Sequence, residues 1–286
     1  MIRFIRIIRV PILISVLVCP SAQTIESIPP PAGYKRIPEA PVSFGNWLRK
    51  LPLKEAHSPV LDYRSRIFKA GTDSTVAAVI NFDISGERMQ QCMDILIRLR
   101  AEYLWRIRAF EQISFPLPGG YFLDWISWSR GNRPKFKGIQ MMLQQTASPD
   151  TSRKNFIRYL HTVFAESHTQ QFYHAYAQLA PEQVSGGDFI VKKGSKGHAV
   201  MIVDLARDST GAMVALIGQG DTPACEFYLL NHSKKNPWIP LDNSSPTLPL
   251  PISKKMSWDG LRHWAKYNTS SASDRVDTGK KIKKNL

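Results

Sequence analysis

The sequence predicts an α+β fold, with N-terminal helices packed on a mostly antiparallel sheet. Three observations carry that prediction. Apolar side chains at Met89, Cys92, Met93, Leu96, Leu99, Tyr103 and Ile107 recur every three or four residues across 85–110, the period of an amphipathic helix. After Ser185-Gly186-Gly187 come four short apolar runs, DFIVKK, HAVMIVDLA, MVALIGQ and EFYLL, separated by turn residues. Helices followed by hairpin-spaced strands are the order of an α+β domain.

The remaining elements can be taken in chain order. Arg3, Arg6 and Arg9 precede an apolar run from Val10 to Val18 and a small-residue close, the order of a secretory leader over 1–22 cut near Ala22. That run is too short for a membrane-spanning helix, which needs about 20 residues. The reading is export to the periplasm or beyond, with no transmembrane span once the leader is gone. Residues 23–42 hold Pro29, Pro30, Pro31, Pro38 and Pro41 and are expected to form an extended lead-in. Ser43 is placed to cap a short helix, FGNWLRKL, that Pro52 stops. A strand is expected over 76–82. The long helix over 85–110 has Ser85 as its candidate cap.

PLPGG then breaks the chain before the aromatic segment YFLDWISW, and GNRPKFKG reads as a basic loop. One helical stretch is expected within 151–180. Past the sheet, the proline-rich stretch over 237–251 should wrap the surface, and WDGLRHWAKY is expected to add a last helix. The single domain would span 43–268, leaving 269–286 as a basic, disordered tail.

The formal net charge is +15; the leader and the tail supply three positive charges each and leave nine on the body. Such a surface favours anionic partners, and with an export leader these would be cell-envelope polymer or peptide rather than nucleic acid. The sequence does not set the oligomeric state. Cys19 would leave with the leader. Cys92 and Cys225 remain, and in an oxidising compartment they could form a disulfide. No metal or cofactor is expected, because His57, His161, His168, His174, His232 and His263 lack metal-ligand spacing with acids or cysteines.

The alternative to a disulfide is catalysis. A thiol becomes a strong nucleophile beside an imidazole and a helix N-terminus. Cys92 lies in the first half of the long helix, and His198 opens a strand after a glycine. Gln219, ending the next strand, is placed to orient the imidazole. The amides of Gln90 and Gln91, with the backbone N–H of Cys92, could meet an oxyanion. Trp125 and Trp128 could stack on a substrate sugar or peptide, or simply pack the core. Arg98 and Glu102, four apart on the helix, should pair.

The segments GYKRI, SFGNWLRKLPL, QQCMDILIRLRAEYLW, GDFIVKKGSKGHAVMIVD, GQG…PAC and NPW resemble the domain-of-unknown-function 4846 family of exported bacterial proteins. The resemblance runs from Gly33 to about Trp264. It implies an exported domain and supplies no activity. That family pattern has a serine where Gly220 stands and a glutamine where Cys225 stands, so a Cys92–Cys225 bridge would be peculiar to this chain.

A looser resemblance links helix-borne Cys92, Gly187-Asp188 before a strand and Gly197-His198 opening the next to the NlpC/P60 and CHAP amidases. It implies a papain-like core, with Cys92 as nucleophile, His198 as base and Gln219 as orienting residue of a cysteine amidase or peptidase acting on peptidoglycan-like material. The chain departs from that group in having Gln-Cys-Met-Asp where Asp-Cys-Ser/Gly is usual. A Ser85 cap would also bury Cys92 inside its helix. The rival reading is a non-catalytic envelope-binding or structural module on the same fold.

Overall fold

The computed structural model describes residues 23–84, 86–233 and 236–264. The expected leader over 1–22, the tail over 269–286 and the Ser85 cap lie outside the described residues. The chain opens with β1 (Lys35–Arg36) and α1 (Phe44–Arg49), followed by β2 (Val60–Leu61), β3 (Ile67–Lys69) and β4 (Val76–Val79). Next comes α2 (Cys92–Arg106). The hairpins β5 (Ser114–Pro116) with β6 (Phe122–Asp124), and β7 (Asn132–Lys137) with β8 (Gln140–Gln145), flank the short α3 (Trp125–Ser129). After α4 (Arg153–Glu166) and α5 (Thr169–Ala175) come β9 (Phe189–Lys192), β10 (His198–Arg207), β11 (Met213–Gln219), β12 (Tyr228–Leu230), β13 (Trp238–Pro240) and β14 (Leu261–Arg262).

The central sheet runs β14-β9-β10-β11-β12-β4, with β1 added beside β10 and β13 beside β11; every pairing is antiparallel. β10 is its spine, and every residue from His198 to Ala206 is buried. Its two faces serve two cores. Ala199, Met201 and Val203 join the layer that holds Ile95, Leu96 and Leu99 of α2. Val200, Ile202 and Leu205 join a second layer with Ile217, Tyr228, Met256 and Trp258. Covering on both faces explains why HAVMIVDLA is a continuous apolar run instead of alternating with polar residues.

A bulge between Ile202 and Asp204 shifts this alternation. The Asp204 carboxylate, 1% exposed, accepts from Arg36 Nε at 2.6 Å and Arg49 Nε at 2.7 Å. One buried acid thus ties the lead-in and α1 to the sheet. Ser43 caps α1 as expected, its hydroxyl accepting from Asn46 N–H at 3.0 Å. The lead-in is also less free than its prolines suggest. Ile25 is fully buried, and the Trp238 indole donates to the Pro29 carbonyl at 2.8 Å.

Other expectations need correction. The stretch 151–180 is two helices, because Ser167 turns extended (φ −91°, ψ 146°) and its hydroxyl donates to the Pro116 carbonyl at 2.5 Å. GNRPKFKG is strand β7 paired with β8, its registry running from Asn132–Gln145 to Lys137–Gln140. WDGLRHWAKY does not form a helix over its described part: a 3-10 turn at Trp258–Gly260 leads into β14, which pairs with β9. A side chain at Gly260 would meet the Val191 carbonyl oxygen at 2.3 Å, so the close approach of this turn to β9 requires glycine.

Removing Asp204 would leave Arg49, 7% exposed, without its countercharge. Asp204→Ala is expected to cost about 3–5 kcal/mol of unfolding free energy, read by urea denaturation. Arg49→Met in the Asp204→Leu background should recover much of that loss.

Candidate functional site

The long helix starts where its chain reaches the sheet. Gln91 is extended (φ −81°, ψ −160°), and the Asp94 carboxyl accepts its backbone N–H at 3.0 Å, so Cys92 is the first helical residue. This corrects the expectation of a start near 85, and it moves Cys92 from the helix interior to its positive end. Arg98 pairs with Glu102 at 2.6 Å as expected, and it also donates to Gln90 Oε1 at 3.2 Å. Gln90 is fully buried, and its amide nitrogen has no hydrogen-bond partner among the described residues.

Cys92 and Gln91 line a cleft of about 770 Å³, bounded by the Gly194–Gly197 turn, the start of α5, Thr222 and Lys254. Gln91 Oε1 accepts from the Thr222 hydroxyl at 2.9 Å, which leaves the amide nitrogen as a donor at the cleft wall. His198 and Gln219, both 1% exposed, meet at 2.7 Å through Nε2 and Oε1. The Gln219 amide nitrogen in turn donates to the Tyr228 hydroxyl at 2.5 Å. A lysine ammonium can only donate, so Lys254 beside Nδ1 makes that nitrogen the acceptor and leaves the proton on Nε2, facing Gln219 Oε1. Lys254 Nζ stands 3.4 Å from that Nδ1 and 3.2 Å from Asp221.

The electrostatics follow from burial. Burial first, then the charges of Lys254 and Lys192, holds the His198 pKa below its ordinary value, against the Gln219 hydrogen bond and Asp221. The imidazole is neutral at pH 7 and able to accept a proton. Burial, followed by the Asp94 charge, pushes the Cys92 thiol up to about 11, although the backbone N–H of Ala199 and Lys254 pull the other way. Burial likewise pushes Asp94 up to about 8. Ala199 is the residue after His198, so the sulfur lies over the strand one residue from the imidazole. No hydrogen bond joins the Cys92 thiol to the His198 ring among the described residues; the ring contacts are Gln219 and Lys254.

Cys92 and Cys225 are both free thiols, so the disulfide reading is not realised. Trp125 and Trp128 are 2% and 5% exposed and lie away from the cleft. Trp125 packs edge-on against Phe156, and Trp128 donates its indole N–H to Asn155 Oδ1 at 3.0 Å. They are core residues. Lys254, Lys192, Asp94 and Thr222 were not singled out by sequence. Their positions follow from a turn, a cap and a wrapping segment that carry no periodic signal. Among the described residues no cluster of His, Cys, Asp or Glu is placed to hold a metal ion, and no helix is long and apolar enough to cross a membrane.

A family model described as a domain of unknown function (4846) matches residues 25–255. The chain belongs to this family. Its boundaries enclose α2, the paired His198 and Gln219, and Lys254, so the cleft is part of the family domain. No curated protein and no solved structure matches the chain.

Because the thiolate is the species that is alkylated, the iodoacetamide labelling rate of Cys92 in the ligand-free protein should still be climbing at pH 9 and level only near 11. Asp94→Asn removes a charge that opposes ionisation and should move this curve to lower pH. A wild-type midpoint at or below 8.5 would contradict the burial argument.

Proposed function

We propose that the cleft is the active site of a cysteine amidase or peptidase on a papain-like core of the NlpC/P60 kind, acting after export on amide bonds of cell-envelope material. The observation that carries the reading is the His198–Gln219 hydrogen bond, 2.7 Å long, beside a cysteine that begins a helix on a large cleft. Gln219 holds the tautomer in which Nδ1 is a base, the role an orienting residue plays for a catalytic imidazole.

The steps follow from the residues present. An entering substrate displaces Lys254 from Nδ1, opening the imidazole to the thiol. Since the Cys92 thiol sits near 11 while the imidazole is held low, the proton moves to Nδ1 as the sulfur attacks, rather than beforehand. The S–C bond forms, and the carbonyl oxygen takes the electron pair, facing the Cys92 backbone N–H and the Gln91 amide. The imidazolium then protonates the leaving nitrogen as the C–N bond breaks. A water molecule, deprotonated by the same Nδ1, hydrolyses the thioester to a carboxylic acid and restores the thiol.

A second reading, a module that holds envelope polymer without cleaving it, is favoured by the lysines around the same cleft. One assay separates the two: mass spectrometry of amide products released from a peptidoglycan digest. The hydrolase reading expects turnover that Cys92→Ala abolishes, that His198→Ala lowers by about 10²–10⁴-fold, and that Gln219→Ala lowers less. Turnover surviving in Cys92→Ala would sink the thiol mechanism. Binding of the digest with no turnover by the wild type would favour the module.

A further inference from the structure

Three lysines reach the cleft from two separate parts of the chain. Lys192 ends β9, Lys196 sits in the turn between β9 and β10, and Lys254 comes from the segment after the proline-rich wrap. Neither Lys192 nor Lys196 has a salt-bridge partner among the described residues, whereas Lys254 pairs with Asp221 at 3.2 Å. Asp94 is the acid that lines the same cavity. Its carboxyl is engaged by the Gln91 N–H, and burial keeps it largely protonated at neutral pH. The wall of the cleft is therefore positive with little to compensate it.

The turn that carries Lys196 is held in place. A side chain at Gly197 would meet Thr169 Oγ1 at 2.0 Å, so the turn is pressed against the start of α5. Low-dielectric walls around like charges concentrate the field inside a cleft, which attracts an anion more strongly than the same lysines on an open surface would. An ammonium accepts carboxylate or phosphate alike, as a point charge.

We propose that Lys192, Lys196 and Lys254 form an anion subsite of the Cys92 cleft, which takes a carboxylate of the bound chain. The site binds whether or not Cys92 cleaves; its meaning as a substrate-selecting site rests on the hydrolase reading above. An anion that draws Lys254 toward itself also uncovers His198 Nδ1, so acidic substrates would free the base that attack requires.

The test uses Cys92 as its own reporter. Iodoacetate and iodoacetamide alkylate a thiol by the same displacement of iodide and differ in charge, and mass spectrometry locates the adduct. At 0.01 M ionic strength, the iodoacetate-to-iodoacetamide rate ratio at Cys92 should exceed that of free glutathione by about tenfold. Lys192→Ala/Lys196→Ala should remove most of that excess. Raising salt to 0.15 M should also shrink it, as the screening length falls from about 30 to about 8 Å. A ratio equal to glutathione's, or one unchanged in the double variant, would overturn the subsite. If alkylation is too slow to time, ³¹P line broadening of inorganic phosphate replaces it: broadening lost in the double variant supports the subsite, and equal broadening overturns it.

Protection of Cys92 from iodoacetamide separates the two anion sources. Protection by an N-acetyl dipeptide acid, but not by its amide, supports a carboxylate; protection by inorganic phosphate alone overturns that assignment. The peptidoglycan assay reads independently. A large ratio with no turnover leaves the subsite standing and removes the hydrolase.

Discussion

The hydrolase proposed for this cleft depends on one hydrogen bond across the sheet, from His198 Nε2 to Gln219 Oε1. The bond exists because β10 and β11 pair with Met201 opposite Gly218, which brings the start of one strand beside the end of the other. Tyr228 on β12 completes the arrangement by accepting from the amide nitrogen of Gln219. The strand register thus brings Gln219 to Nε2, and Lys254 at Nδ1 decides which imidazole nitrogen carries the proton. A slip of one residue between β10 and β11 would turn Gln219 to the other face and leave a buried histidine unpartnered.

The resting cleft is nearly neutral at its centre and positive at its wall. Cys92 gains from the helix N-terminus, but that effect is about 0.3–1 kcal/mol at ordinary sites. Its rise from 9.0 to about 11 corresponds to about 3 kcal/mol against ionisation. Burial and Asp94 win, and the thiol waits protonated. This differs from a preformed thiolate–imidazolium pair, and in the proposed mechanism it makes substrate entry part of activation. Lys254 fits the same logic, because it occupies the base when the cleft is empty and answers to negative charge.

Much of the fold was legible in the sequence because its signals were local. The four strands after Gly187 fall where their apolar runs predict, and Ser43 caps α1 as its position suggests. Errors arose where tertiary contacts decided the outcome. Apolar periodicity placed the start of the long helix near 85, yet the Asp94 cap delays it to Cys92. The basic charges of GNRPKFKG suggested a loop, but six backbone-paired positions make it a strand. Cys92, Gln91, His198 and Gln219 were readable from residue order. Lys254 was not, because a lysine in the segment after the proline-rich stretch shows no pattern until that segment is folded against the sheet. Of the two roles open to Trp125 and Trp128, the structure has core packing, which aromatic composition alone does not separate from a cleft edge.

The central claim is that the Cys92 sulfur attacks an amide carbonyl. Its most direct test is acid-quenched mass spectrometry of the protein during incubation with a peptidoglycan digest, with peptide mapping of any covalent adduct. The account predicts an acyl group bound as a thioester at Cys92 that decays as product accumulates. Product formation with no acyl group on Cys92, or an adduct confined to another residue, would contradict it.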